Sequence, residues 1–145
     1  MSKPSLVFCE DVLIDQTTGQ WSFLKQIENI NLSLLSGQAD RKDKLVIRGR
    51  FNLVSFWFRQ KSQSITIQYQ LADSRGDLLM NSPEYRLTFN QKRILFRHRV
   101  MLDRLIVRGP GSYSFKVARK TDQGYRTEAE IFFNISIRQN EETGK

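Results

Sequence analysis

The chain has 145 residues, of which 39% are hydrophobic and 26% charged, as is usual for one globular domain. Its formal net charge is +8, which favours an anionic partner such as nucleic acid, phosphate or an acidic protein surface. The longest largely apolar run, Leu53 to Phe58, is far shorter than a membrane span, and a single cysteine excludes an intrachain disulfide. Acidic residues interrupt the short apolar stretch after Lys3, so we expect no signal peptide, no membrane association and a cytoplasmic location.

Apolar and polar residues alternate along most of the chain, which is the pattern of β-strands. In one clear case, Ile65, Ile67 and Tyr69 are separated by polar residues. Glycine, aspartate and proline residues, which favour turns, separate the alternating runs. We predict eight strands, at residues 5–14, 20–32, 44–59, 64–72, 77–87, 92–107, 112–119 and 125–138.

Short strands separated by turns predict an all-β fold, an antiparallel β-sandwich of about 7–8 strands. We expect it to form a single domain over residues 1–138, followed by a disordered polar tail at residues 139–145. The predicted strands 44–59 and 92–107 are longer than usual, so each is expected to bend or to contain a bulge, with Gly49 as the bend in the first.

Residues 90–107 also fit a helical pattern. Apolar residues recur there at helical spacing, and Asn90 is in position to cap a helix. In an extended chain, Phe96, His98 and Val100 would instead share one apolar face. We favour a strand because the segment contains β-branched and aromatic residues and because its neighbours are all predicted to be strands.

Few residues in the chain are suited to catalysis or metal binding. His98 is the only histidine and Cys9 the only cysteine, which is too few for a zinc site. A Cys–His nucleophile pair would need the two to meet in space, and no motif around Cys9 indicates one. Aspartates such as Asp15 and Asp73 lie in predicted turns, where they bond their own backbone. We therefore expect no catalytic, metal-binding or cofactor-binding residues, no small-molecule substrate and no enzymatic activity.

Basic residues are concentrated in two of the predicted strands. Arg48 and Arg50 share a face of one strand, and Arg97 and Arg99 share a face of another, so pairing of these strands would form a positive stripe. Arginine forks bind carboxylates or phosphates, and nearby aromatic rings stack on bases. The alternative is a solvated outer face whose charges protect a sheet edge. The candidate partner-binding residues are Arg48, Arg50, Phe56, Trp57, Phe58, Arg97 and Arg99.

The segment from Leu53 to Phe58 is apolar on both faces of its predicted strand. One face of a sandwich sheet is normally exposed to water, so part of this segment needs cover. Either another part of the chain covers it or it docks a partner, and homo-oligomerisation is one such arrangement.

Two stretches resemble a family of small, uncharacterised bacterial β-sandwich proteins. One is Phe8 to Val12 followed by Thr18 to Leu24, which resembles the opening hairpin of the family. The other is Gly111 to Val117, which is similar to a Gly-x-Tyr-x-Phe-x-Val strand whose tyrosine closes a corner against the backbone in many sandwiches. The chain departs from the family at residues 25–28, where the family tends to have an apolar residue and a glycine. The resemblance implies the sandwich fold and no activity.

These observations favour a non-enzymatic protein-interaction or assembly module from a bacterium. It would bind another protein, or a second copy of itself, through a basic sheet face or an apolar edge. The alternative is a nucleic-acid-binding accessory domain that uses the arginine stripe, which would bind less tightly as the salt concentration rises.

Overall fold

A computed structural model describes residues 3–35, 44–61 and 64–140 of the chain. The predicted all-β sandwich is confirmed: the described residues form two packed sheets, and no helix occurs among them. They accordingly include no helix long and apolar enough to cross a membrane. The strands number ten rather than 7–8: β1 (Ser5–Ile14), β2 (Trp21–Gln26), β3 (Asn29–Leu35), β4 (Leu45–Phe58), β5 (Ser64–Asp73), β6 (Leu78–Asn81), β7 (Tyr85–Thr88), β8 (Leu95–Val107), β9 (Gly111–Thr121) and β10 (Gly124–Asn140).

One sheet has four strands in the order β2-β1-β4-β8. The other has six, with β3-β10-β9-β5-β6 in order and β7 also paired with β5. The pairing is antiparallel except between β3 and β10, which run parallel. Strand β8 is therefore an edge strand of the four-stranded sheet, with β4 as its neighbour on one side.

Two predicted strands are each divided in the structure. The first divides because the chain crosses between the sheets: Ile27 N donates to Phe8 O in the four-stranded sheet (2.9 Å), and Glu28 O accepts from Asn134 N in the six-stranded sheet (2.9 Å). Just before the crossing, Lys25 has φ +56°, a left-handed conformation that glycine adopts more readily. The second strand divides before Pro83, which has no N–H to continue a ladder.

The ambiguous segment at residues 90–107 forms strand β8 from Leu95 to Val107, paired with β4, so the helical alternative is wrong. The strand begins three residues later than predicted, because Arg93 N donates to Asn90 O (3.1 Å) in a turn before it. The predicted irregularity at Gly49 is confirmed, because the register of the β4–β8 ladder shifts between Arg48 and Phe51. The Phe51 ring lies over Gly49, where an added Cβ would approach it to 3.0 Å. At the other end of the chain, β10 runs to Asn140, so the first part of the predicted tail belongs to a strand; residues 141–145 lie outside the described residues.

The core lies between the sheets and is rich in aromatic side chains. The Phe8 ring is fully buried, with its centroid 4.8 Å from that of Phe115 and 4.9 Å from that of Phe133. The expected tyrosine corner is present: Tyr113 OH donates to Gly109 O (2.7 Å) and accepts from Arg108 N (3.0 Å). The corner ties the β8–β9 connection to the core.

Candidate interaction surface

The β1–β2 hairpin folds across the outer face of the four-stranded sheet. Phe56 pairs with Ser5 at the start of β1, whereas Phe23 pairs with Val12, seven residues further along. A straight strand would separate these positions by about 23 Å. Instead the Phe23 and Phe56 rings meet edge to face, with centroids 5.4 Å apart. Strand β1 therefore bends, and the hairpin lies over β4.

Residues beneath this hairpin are buried although they point away from the core. Cys9, Asn52 and Val54 are each 0% exposed. The Asn52 side chain is the link: its Nδ2 donates to Glu10 O (2.6 Å), and its Oδ1 accepts from Arg99 Nε (2.8 Å). The doubly apolar segment predicted to need cover is thus covered largely by its own chain. Burial also raises the pKa of the Cys9 thiol, which disfavours its reactive thiolate.

The predicted arginine stripe is divided into two groups by the register of the sheet. Strands β4 and β8 do pair, as the stripe required, but Arg97 lies opposite Phe56 and Arg99 opposite Val54. Arg48 lies opposite Arg104, beyond the bulge. Arg97 and Arg99 therefore lie near the start of the edge strand β8, while Arg48, Arg50 and Arg104 cluster at and beyond the bulge, towards the other end of β8. Sequence reasoning did not include Arg104 in the stripe, since its place depends on the bulge.

We call these five residues, Arg48, Arg50, Arg97, Arg99 and Arg104, the arginine face. All are exposed except Arg99, which is half-buried. Arg50 is the one member that ion-pairs with a carboxylate of the described residues, Asp11, at 3.7 Å. The Arg97 guanidinium lies 5.4 Å from the centroid of the Trp21 ring. Arg48 and Arg104 carry like charges at directly opposed positions, an arrangement that destabilises a sheet.

The aromatic candidates alternate between the two faces of β4. Trp57 points inward and is 1% exposed, so it is away from the arginine face. Phe56 is half-buried against Phe23, and Phe58 is 43% exposed at the end of the strand. These rings are therefore not grouped on one accessible surface.

A buried polar network, which no sequence pattern indicates, lies on the inner side of the same strands. Trp57 Nε1 donates to Ser55 Oγ (2.8 Å), and Ser55 Oγ lies 2.6 Å from Tyr69 OH. Tyr69 OH lies 2.9 Å from His98 Nδ1, and the His98 ring packs against both Tyr69 and Tyr85. Burial lowers the pKa of His98 and raises that of Tyr69, so both side chains are held neutral. Ser55 is 0% exposed, so no substrate reaches its hydroxyl.

The aspartates of the turns bond to backbone amides, as predicted from their positions. Asp15 Oδ1 accepts from Thr17 N (2.8 Å) and Thr18 N (3.2 Å), and these bonds lower the pKa of the Asp15 carboxyl. Asp73 Oδ1 accepts from Arg75 N (2.9 Å) and Asp77 N (3.0 Å). Among the described residues, no three His, Cys, Asp or Glu side chains are grouped to hold a metal ion.

Comparisons with known proteins identify no family for this chain. No family model matches it, and no curated protein matches it. Two crystal structures of a glycosyl hydrolase family 2 member from Bacteroides cellulosilyticus, one of them from strain DSM 14838, are similar at 14% identity and a TM-score of 0.43. Each match covers 67% of this chain but only 13% or 12% of the other chain. The chain thus spans about an eighth of those enzymes, and a likeness this weak implies nothing about its activity.

Proposed function

We propose that this protein is a non-enzymatic interaction module that binds an acidic partner protein through the arginine face. The observation that carries the proposal is the directly opposed pair Arg48 and Arg104, which have no carboxylate partner among the described residues. Arginine remains charged at physiological pH and binds carboxylates through two parallel hydrogen bonds. An acidic partner would therefore supply the charges that the chain does not place there.

An acidic protein suits this face better than a nucleic acid does. Binding of single-stranded nucleic acid uses exposed aromatic rings on which bases stack. Here Trp57 is buried in the core, Phe56 packs against Phe23, and the Trp21 ring already faces the Arg97 guanidinium. Carboxylates need only the guanidinium groups, which remain on the surface.

The state of the nucleophilic and titratable residues supports a non-enzymatic role. Cys9 and Ser55 are each 0% exposed. His98 bonds to Tyr69 rather than to Cys9 or to a carboxylate that would orient it as a general base.

Binding to poly-L-glutamate, measured by calorimetry at low salt, tests the proposal. Two variants reverse charges on the arginine face: Arg97→Glu/Arg99→Glu and Arg48→Glu/Arg104→Glu. The matched control, Lys120→Glu/Arg138→Glu, makes the same change of net charge on exposed residues of the six-stranded sheet. We expect each face variant to bind at least about tenfold more weakly than the control, because about 1.4 kcal/mol of charge-assisted bonding is lost.

Equal losses in all three variants would overturn the proposal, because net charge alone would then explain the binding. A single-stranded oligonucleotide that binds more tightly than poly-L-glutamate, through the same arginines and with a steep dependence on salt, would favour the nucleic-acid alternative instead.

A further inference from the structure

The outer edge of β8 presents a row of backbone groups that have no partner among the described residues. Arg59 N donates to Ile94 O (2.8 Å), so Ile94 is turned towards the neighbouring strand. Successive residues of an antiparallel ladder turn alternately towards and away from that neighbour. The N–H and C=O groups therefore point outward at four residues: Leu95, Arg97, Arg99 and Met101. Among the described residues, no hydrogen bond reaches these groups.

The same four residues carry their side chains on the outer face of the sheet. Leu95 is 37% exposed and Met101 is 63% exposed, and Arg97 and Arg99 lie between them. Further along the edge, Ile106 N donates to the sulfur of Met80 (3.2 Å), so that part of the edge is occupied by β6. The open stretch of edge is therefore residues 95–101.

We infer that this open stretch accepts an extended acidic segment of the partner protein as an additional antiparallel strand. The inference rests on the proposed function and states how the partner is held. Backbone bonds to the outward groups would supply affinity. Oppositely charged residues directly across two strands stabilise the pair, so carboxylates two residues apart, opposite Arg97 and Arg99, would supply specificity.

Charge favours an acidic partner over a second copy of this chain at the same edge. An antiparallel β8–β8 pairing centred on Arg97 or Arg99 places that arginine opposite its own copy. Centring the pairing on His98 places Arg97 opposite Arg99 of the other copy. Like charges opposite each other oppose pairing in all three registers, and charged edge residues are a common protection against self-association.

A peptide that alternates glutamate and threonine is the probe, with its binding followed by fluorescence anisotropy. In an antiparallel added strand, residues opposite Arg97 and Arg99 turn both their carboxylates to the arginines and their N–H groups to β8. N-methylation of the glutamates therefore removes the edge hydrogen bonds and keeps the charges. N-methylation of the threonines alters groups that point away, and is the matched control.

We expect the glutamate-methylated peptide to bind at least about tenfold more weakly than the other two, from the loss of about 1.4 kcal/mol. On the protein side, Met101→Pro removes one outward N–H without breaking the ladder to β4, and Met101→Thr is its control. Only the proline variant should weaken binding. Hydrogen exchange at the amides of Leu95, Arg97, Arg99 and Met101 should slow in the complex.

Equal binding of all three peptides would overturn the added strand. If Arg97→Glu/Arg99→Glu still abolished binding of the peptides, the proposed function would stand without the added strand. A loss confined to the threonine-methylated peptide would contradict the antiparallel arrangement. Undetectable binding of the unmethylated peptide at low salt would also overturn the inference.

Discussion

The outer faces of the two sheets differ in how their charges are compensated. On the six-stranded sheet, Lys116 pairs with Glu130 (3.8 Å), and Glu130 also accepts from Ser114 Oγ (2.8 Å). Lys120 pairs with Glu84 (3.5 Å). On the four-stranded sheet, the arginine face has one carboxylate partner among the described residues. On the six-stranded sheet Lys116 and Lys120 are thus neutralised within the chain, whereas four of the five members of the arginine face have no carboxylate partner among the described residues.

The two faces also differ in cover. The β1–β2 hairpin lies over the four-stranded sheet and buries Asn52 and Val54 completely. On the six-stranded sheet, Phe132 stays 64% exposed on the outer face. Around β4, the four-stranded sheet is therefore buried on both faces. The arginines of the arginine face lie at the border of the area that the hairpin covers.

The largest expected effect comes from Asn52→Ala, which removes the link between hairpin and sheet. The substitution removes a fully buried side chain and leaves Glu10 O and the half-buried Arg99 guanidinium without this partner. We expect a loss of about 3 kcal/mol in the free energy of unfolding. The counterpart on the other face, Ser114→Ala, removes a bond to Glu130 and should cost about 1 kcal/mol. Urea unfolding measures the loss in free energy for both variants. Equal losses would mean that the hairpin does not bury the outer face of β4.

Phe23→Ala should be next, at about 2 kcal/mol, since the half-buried ring packs edge to face on Phe56. The exposed Phe132→Ala should change stability by less than about 0.5 kcal/mol. A double-mutant cycle of Phe23 and Phe56 should give a coupling of about 1 kcal/mol. Without this contact the hairpin should also be cleaved faster in limited proteolysis, and an unchanged cleavage rate would count against the packing of hairpin on sheet.

Much of the fold could be predicted from local pattern, because alternation depends on neighbours in sequence. The bounds of β1 match the prediction, and the irregularity at Gly49 was expected from strand length. The crossing at Ile27 was missed although the alternation breaks there, since Ile27 and Ile30 are three residues apart. Its marker is the left-handed backbone of Lys25, a residue type that does not suggest such a conformation.

The candidate site was predicted only in part, because it depends on contacts between distant segments. Arg97 and Arg99 could be grouped from spacing alone. Their separation from Arg48 depends on the register between β4 and β8, which the bulge shifts. The placement of Trp21 under Arg97 depends on the bend of β1, and no local pattern indicates how far a hairpin folds over its sheet.

A smaller effect, the pH dependence of stability, distinguishes His98 on the inner side of the β4–β8 ladder from the arginines on the outer face. Burial lowers the pKa of His98, so the folded protein binds a proton there less readily than the unfolded chain. The neutral ring therefore contributes its full stability above the pKa of histidine in the unfolded chain. That contribution is lost as the pH falls from this pKa to the lower pKa of the folded protein. Arginines do not titrate in this window. Urea unfolding of the wild type and of His98→Gln across mildly acidic pH should show a shallower pH dependence in the variant, and identical slopes would contradict this assignment.

The smallest effects test whether the arginine face is compensated within the chain. Arg104→Gln removes one of two like charges that lie opposite each other, so it should stabilise the protein by about 0.3 kcal/mol at low salt. Lys116→Gln breaks a partly buried pair with Glu130 and should destabilise it by about 0.5 kcal/mol. Added salt should shrink both differences by screening. If Arg104→Gln instead destabilised the protein as much as Lys116→Gln does, that arginine would already be neutralised inside the molecule, and its charge would not be available to an acidic partner.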